Sequence, residues 1–270
     1  MMVVDTHCHA GTNWFEPVEM LVHQMDMNGV EKAVLIQHVG NFDNRYLVEC
    51  MRRFPERFVA VVGVDVARPD AADTLERMAR EAGVVGIRLH PTHRSPGVDP
   101  LAIWRKADEL GLAISCHLVD SDYAAAPEFQ RLVKALPNCT FVLEHLAGAY
   151  RPRSPGSVTP PYTAFRAALS LAECPNTYIK FGGLGEFCER PARLPVPLNF
   201  DKVLPLLEMA RDAFGPHRMM WGSDYSPVSN REGYRNALQG PMRQGAFRTE
   251  EDREWAFGRT ALQVWKLGKS

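Results

Sequence analysis

The stretch that decides the fold is Val3-Val4-Asp5-Thr6-His7-Cys8-His9, a short and largely apolar run that ends in two histidines one residue apart. Side chains at positions i and i+2 of a β-strand point to the same face. The pattern therefore predicts a strand that aims the imidazoles of His7 and His9 at one point, with Val4 and Cys8 on the opposite face. Because imidazole is a common metal ligand near neutral pH, the pair indicates either a metal site or, on this stretch alone, two packed core histidines.

Seven further apolar runs follow, and amphipathic helical patterns separate them. One such pattern places Val18, Leu21 and Met25 on one face and ends at Gly29, a residue typical of a helix C-terminus. Strands with continuous apolar sequence are typical of a sheet that is covered on both faces. The predicted strands after the first are Lys32–His38, Phe58–Asp65, Val84–His90, Leu112–His117, Thr140–His145, Thr177–Gly182 and Arg218–Asp224.

Eight strand–helix units within 270 residues predict an α/β protein with a (β/α)8 TIM barrel, forming one domain over residues 1–270. An open, doubly wound sheet is the alternative. Long loops are expected after strands six, seven and eight, and the first two of them are rich in proline, over Arg151–Pro161 and Gly183–Asn199. In a barrel these loops lie on the rim formed by the carboxyl ends of the strands, where active sites are built.

Composition excludes several classes of protein. With 31 basic and 32 acidic residues the net charge is −1, so nothing indicates nucleic acid or an anionic membrane as a partner. The six cysteines are scattered without a CxxC pair, which argues against a zinc finger. No apolar run approaches the roughly 18 residues of a membrane span, and no secretory signal is evident. We expect a cytoplasmic protein that acts on a small molecule, and a homodimer is compatible with this composition.

The histidines concentrate where the predicted strands end. Strand eight ends in an acid instead, at Asp224. Since the carboxyl ends of all strands meet on one rim of a barrel, we expect these side chains to form one cluster. Six of the nine histidines belong to this group: His7, His9, His38, His90, His117 and His145.

These motifs resemble the amidohydrolase superfamily. The resemblance covers essentially the whole chain and identifies the superfamily rather than the substrate. Its superfamily motifs are Asp5-Thr6-His7-Cys8-His9, His117, His145 and Gly222-Ser223-Asp224-Tyr225. Two further motifs resemble the branch of aminocarboxymuconate-semialdehyde decarboxylase-like and lactonase-like proteins: Gly86-Ile87-Arg88-Leu89-His90-Pro91 and Lys180-Phe181-Gly182-Gly183-Leu184.

The resemblance implies a single divalent metal ion, with Zn²⁺ the best match for three imidazoles and a carboxylate. The implied ligands are His7, His9, His117 and Asp224. Asp224 and His145 would be catalytic: Asp224 as the group that moves a proton, and His145 as a partner of the metal-activated water or of the substrate carbonyl. Binuclear members carry a carboxylated lysine at the end of strand four, and residues 84–92 contain no lysine, so we expect one metal ion.

Four residues are predicted to contact substrate: His38, Arg88, His90 and Lys180. Arg88 would be a two-pronged clamp for a substrate carboxylate, and an ion pair with a neighbouring acid is its alternative role. By strand alternation Glu144 should face outward.

Three functions follow from this set of residues. The leading hypothesis is a metal-dependent hydrolase of a small, carboxylated molecule, such as a lactone or a related cyclic ester or amide. The alternatives are a non-oxidative decarboxylase, which is a lyase with the same metal site, and a barrel that binds a metal or ligand without catalysis.

Overall fold

The computed structural model describes residues 1–149, 158–187, 192 and 200–267. Within these residues eight parallel strands pair in chain order, and the predicted (β/α)8 barrel is confirmed. The strands are β1 (Val4–Cys8), β2 (Lys32–Ile36), β3 (Phe58–Val62), β4 (Gly86–Leu89), β5 (Ala113–Cys116), β6 (Phe141–Leu143), β7 (Thr177–Phe181) and β8 (Met219–Trp221).

Helices connect the strands and cover the outside of the sheet. None of those described has the length and apolarity needed to cross a membrane. The α-helices are α1 (Val18–Asn28), α2 (Arg45–Arg53), α3 (Ala71–Ala82), α4 (Ala102–Glu109), α5 (Ser121–Ala125), α6 (Pro127–Ala135), α7 (His145–Gly148), α8 (Thr163–Leu169), α9 (Leu204–Phe214), α10 (Tyr234–Arg243), α11 (Glu250–Glu254) and α12 (Thr260–Val264).

The barrel closes where β8 meets β1. The backbone N–H of Asp224 donates to the oxygen of His7 at 2.8 Å, and that of His9 donates to the oxygen of Tyr225 at 2.7 Å. Gly222 permits this approach, because a Cβ atom there would lie only 2.6 Å from the Cβ of His7. These bonds exclude the open-sheet alternative, and they bring the ends of the first and last strands together.

The barrel interior is filled by apolar side chains at the amino-terminal ends of the strands. Val4 packs there with Val34, Val142 and Met220, and Trp265 from the C-terminal segment packs against them. Cys8 instead lies in the outer core, between the sheet and the helices. The prediction that Val4 and Cys8 share a face is therefore wrong.

A β-bulge explains the difference between the two halves of β1. Asp5 and Cys8 are three residues apart, but their partners Ala33 and Leu35 on β2 are two apart. The extra residue shifts the alternation by one position. Below the bulge Val4 points inward, and above it His7 and His9 do so.

Two of the three predicted rim loops fall largely outside the described residues, since 150–157, 188–191 and 193–199 are not described. The third, after β8, runs from Gly222 to Gly233 and contains a 3-10 turn at Pro227–Asn230. Directly after this loop the chain enters α10.

The carboxylate of Asp5 fastens the seam between β1 and β8. It accepts hydrogen bonds from the backbone N–H of Ser223 at 2.8 Å, the hydroxyl of Ser223 at 2.6 Å and the hydroxyl of Tyr234 at 2.9 Å. Asp5 is fully buried, and burial raises its pKa to about 6. This carboxylate therefore satisfies several buried donors at once.

We predict that Asp5→Ala lowers the free energy of unfolding by at least ~3 kcal/mol, because it leaves these buried donors without an acceptor. Urea denaturation followed by circular dichroism measures the change. Asp70→Ala is the matched control, since the Asp70 carboxylate is exposed and pairs only with Arg68, and it should keep a near-wild-type midpoint. A wild-type midpoint for Asp5→Ala would contradict the role of the seam.

Candidate active site

The ends of β1 and β8 bring together two imidazoles and a carboxylate. Nε2 of His7 lies 4.0 Å from Oδ1 of Asp224, and Nε2 of His9 lies 3.9 Å from the same oxygen. All three side chains are buried, and they form one of the groups whose ligand atoms could surround a metal ion. Ligand atoms bound at about 2.0–2.1 Å to one tetrahedral ion lie roughly 3.4 Å apart, so these atoms would need to move only slightly closer together to bind one ion.

Burial keeps both imidazoles neutral. It lowers the pKa of His9 to about 4 and that of His7 well below the usual range. Nδ1 of His9 lies 2.7 Å from the backbone oxygen of Ile36, and since a carbonyl only accepts, Nδ1 carries the proton. The lone pair of Nε2 is then directed at Asp224, which is the arrangement that metal-binding histidines commonly show.

His7 supports a metal site most directly. Both of its ring nitrogens are buried, and neither has a hydrogen-bond partner within the part of the chain that the structure describes. A buried polar group without a partner is costly and uncommon. Packing therefore does not explain this imidazole, whereas a divalent ion beside Nε2 would supply the missing partner. The donor set of neutral imidazoles and one carboxylate fits Zn²⁺.

Arg231 holds the other oxygen of Asp224. Its NH2 group donates to Oδ2 at 2.9 Å, and the same guanidinium pairs with Glu186 at 2.5 Å and Glu232 at 3.2 Å. Asp224 itself has a left-handed backbone, with φ of 61°, a conformation in which aspartate is enriched. Oδ2 is thus anchored and Oδ1 faces His7 and His9. The sequence analysis did not identify Arg231.

His145 lies beside His7, with their ring centres 4.6 Å apart. It begins α7, where His145, Leu146 and Ala147 all have φ near 50°. This left-handed turn directly follows β6 and brings His145 over the barrel. The role of His145 in catalysis stays a prediction, and its position is compatible with that role.

Glu144 faces into the barrel, so the expectation that it points outward is wrong. Strand alternation does not apply across this junction, because β6 ends at Leu143 and the left-handed turn starts two residues later. Glu144 is fully buried. It accepts from NH2 of Arg88 at 2.7 Å and from the hydroxyl of Ser115 at 2.6 Å. Although burial opposes ionisation, Arg88 holds the pKa of Glu144 well below its usual range.

Arg88 and Lys180, both predicted to contact substrate, bind other groups of the chain. Arg88 donates from Nε and NH2 to Glu144 and from NH1 to the backbone oxygen of Gln37 at 3.1 Å, which is the ion-pair alternative. Nζ of Lys180 donates to Ser115 at 3.0 Å. Lys180 is 1% exposed, and burial lowers its pKa to about 8. It lies beneath the site.

A cavity of about 350 Å³, which we call the rim cavity, opens above these residues. Phe15 stacks on the ring of His9 at one wall, with ring centres 4.7 Å apart. The predicted site residues that line the cavity are His9, His38, Arg88, His117, His145 and Asp224, and Glu186 also lines it.

The remaining predicted residues fall outside the close group formed by His7, His9 and Asp224. His117 lines the rim cavity but belongs to none of the described groups of closely spaced ligand atoms, so its role as a metal ligand stays a prediction. β5 ends at Cys116, and His117 follows it on the cavity wall. His90 lines a neighbouring cavity, and His38 lines both.

Comparison with known proteins identifies the family of the chain. The family model described as amidohydrolase matches residues 4–267. The chain belongs to the amidohydrolase family. The predicted superfamily is thereby confirmed, and the protein is an enzyme of this family.

One curated relative and two solved structures illustrate what this amidohydrolase is similar to. An L-fucono-1,5-lactonase from Burkholderia ambifaria is 29% identical over 218 residues, which cover 77% of this chain and 68% of the relative. A Burkholderia multivorans amidohydrolase structure with bound Zn has a TM-score of 0.77 at 18% identity, covering 98% and 99% of the two chains. A Pseudomonas putida structure assigned as a 2-pyrone-4,6-dicarboxylic acid hydrolase has a TM-score of 0.75 at 21% identity, covering 100% and 99%.

We predict that Arg231→Gln weakens Zn²⁺ binding by about 10- to 100-fold, because outer partners of metal ligands typically contribute that much. Equilibrium dialysis against Zn²⁺ measures the affinity. Arg45→Gln is the matched control, since the Arg45 side chain is 91% exposed, and it should bind Zn²⁺ as the wild type does. Equal affinity for Arg231→Gln and wild type would show that Asp224 does not depend on Arg231.

Proposed function

We propose that this amidohydrolase hydrolyses a small lactone at a site in which His7, His9 and Asp224 hold one divalent metal ion. The observation that carries the proposal is the pair of neutral imidazoles beside Oδ1 of Asp224, with no hydrogen-bond partner for His7 among the described residues. The lactonase relative supports the choice of a lactone. The zinc-containing structural relative supports Zn²⁺.

A divalent ion bound at this site supplies a Lewis acid and makes hydroxide available near neutral pH. The chain supplies proton transfer and orientation. Asp224 is anchored through Oδ2 by Arg231, and we propose that it accepts a proton from the attacking water and returns it to the alkoxide released as the ring opens. His145 and His117 line the rim cavity, where a neutral imidazole N–H can donate to the substrate carbonyl.

The proposed substrate is uncharged, in place of the carboxylated molecule expected from the sequence. Among the described residues that line the rim cavity, Arg88 is the one with a permanent positive charge. Its guanidinium already binds Glu144 and the backbone of Gln37. Asp224 and Glu186 add negative charge to the same cavity. Apart from the proposed metal ion, a substrate carboxylate would meet two acids and no unpaired cation among these residues.

A panel of uncharged and carboxylated lactones, assayed with a pH indicator, tests the proposed reaction. We expect one proton released per uncharged lactone, loss of activity after chelation and recovery on adding Zn²⁺. Aromatic carboxylates, assayed for CO₂ release, are the comparison set. Turnover of the aromatic carboxylates alone would overturn the proposal in favour of the decarboxylase.

We predict that Asp224→Asn lowers kcat by at least ~10²-fold, because an amide cannot take up the proton. Initial rates on the best lactone of the panel measure the loss. Asp122→Asn is the matched control: Asp122 is exposed on α5, and this variant should retain the wild-type rate. An unchanged rate for Asp224→Asn would exclude the proton-transfer role.

A further inference from the structure

A second cavity of about 210 Å³ adjoins the rim cavity. We call it the side cavity. It lies where β2, β3 and β4 end, and four residues line both cavities: His38, Val39, Arg88 and His117. A ring held in the rim cavity can therefore extend a substituent into the side cavity.

The walls of the side cavity are largely apolar. Val39, Phe42, Val64 and Leu89 are the apolar residues among its lining. Gly63 contributes backbone, and a Cβ atom there would lie 2.6 Å from the backbone oxygen of Asn41. Glycine at this position thus lets the segment that carries Phe42 pack against the end of β3.

Among the polar residues that line the side cavity, Gln37, Arg88 and His93 are already engaged, whereas His38 and His117 also line the rim cavity and lie where the two cavities meet. Gln37 donates through Nε2 and accepts through Oε1 within segment 37–44. Arg88 binds Glu144. Nδ1 of His93 accepts from the backbone N–H of His90 at 3.2 Å. Beyond His38 and His117, a hydroxyl entering this cavity would exchange water for few new partners, whereas an alkyl group would only cover apolar surface.

We infer that the side cavity holds a methyl or other short alkyl substituent of the lactone ring, so that the enzyme prefers deoxy-sugar lactones to their hydroxymethyl counterparts. This inference rests on the proposed lactone hydrolysis. It assigns His90 to the wall that surrounds the substituent, while the ring opens in the rim cavity beside Asp224.

A matched pair of substrates tests the side cavity. L-fucono-1,5-lactone carries a methyl group where L-galactono-1,5-lactone carries a hydroxymethyl group, and the two are otherwise alike. We expect kcat/KM to favour the methyl compound by about 10-fold or more, the usual range for an apolar pocket that excludes a polar group. Simple lactones with and without a methyl substituent extend the comparison.

Two variants assign the preference to the side cavity. Val64→Thr replaces a methyl of the wall by a hydroxyl at nearly constant volume, and we expect the kcat/KM ratio to fall about fivefold or more. Val39→Thr makes the same change at a residue that is 49% exposed, so it does not depend on core packing. Val98→Thr is the control, because Val98 is fully exposed and lines neither cavity, and it should keep the wild-type ratio.

The outcomes separate this inference from the proposed function. Two results would overturn the inferred role of the side cavity and leave lactone hydrolysis unaffected. One is hydrolysis of lactones without preference for a methyl substituent, and the other is an unchanged kcat/KM ratio in both Val64→Thr and Val39→Thr. Failure to hydrolyse any lactone overturns both. A ratio that falls in the two wall variants and stays constant in Val98→Thr supports the side cavity.

Discussion

Closure of the barrel between β1 and β8 is the constraint on which the rest of the structure depends. Two backbone hydrogen bonds across this seam place Asp224 opposite His7 and His9, although these residues are more than 200 positions apart in the chain. The buried carboxylate of Asp5 binds Ser223, the neighbour of Asp224. The same seam therefore completes the fold and assembles the candidate metal site.

A layer of buried charge lies beneath this site. Glu144 binds Arg88 and Ser115, and Ser115 accepts from Lys180. Two cations thus surround one buried carboxylate, and Arg88 also contributes to lowering the pKa values of His9 and His117. Burial is the largest cause of the low pKa values of His7, His9 and His117; Arg88 adds to it at His9 and His117, and Glu144 opposes it at all three. The neutral form of the imidazole is the one that binds a metal ion.

Sequence patterns predicted the elements of the fold well, because short apolar strands and amphipathic helices leave a clear periodicity. They also predicted that His7, His9 and Asp224 would meet, since parallel strands of a barrel end on one rim. Three features escaped them. Glu144 turned inward because a left-handed turn follows β6. Arg231 lies in an irregular loop, which has no periodic pattern of side-chain directions, so its pairing with Asp224 could not be predicted. The sequence predicted that Lys180 contacts substrate, but it did not reveal how deeply that side chain is buried.

The bulge in β1 divides that strand into a part that packs in the barrel core and a part that carries the candidate site. Val4, before the bulge, packs in the floor of the barrel. His7 and His9, after the bulge, face the candidate site. Because the extra residue absorbs the change of phase, the floor can be repacked without rotating the imidazoles. The strand thus consists of two parts joined by one extra residue. Substitutions in the barrel floor therefore need not change the orientation of the imidazoles.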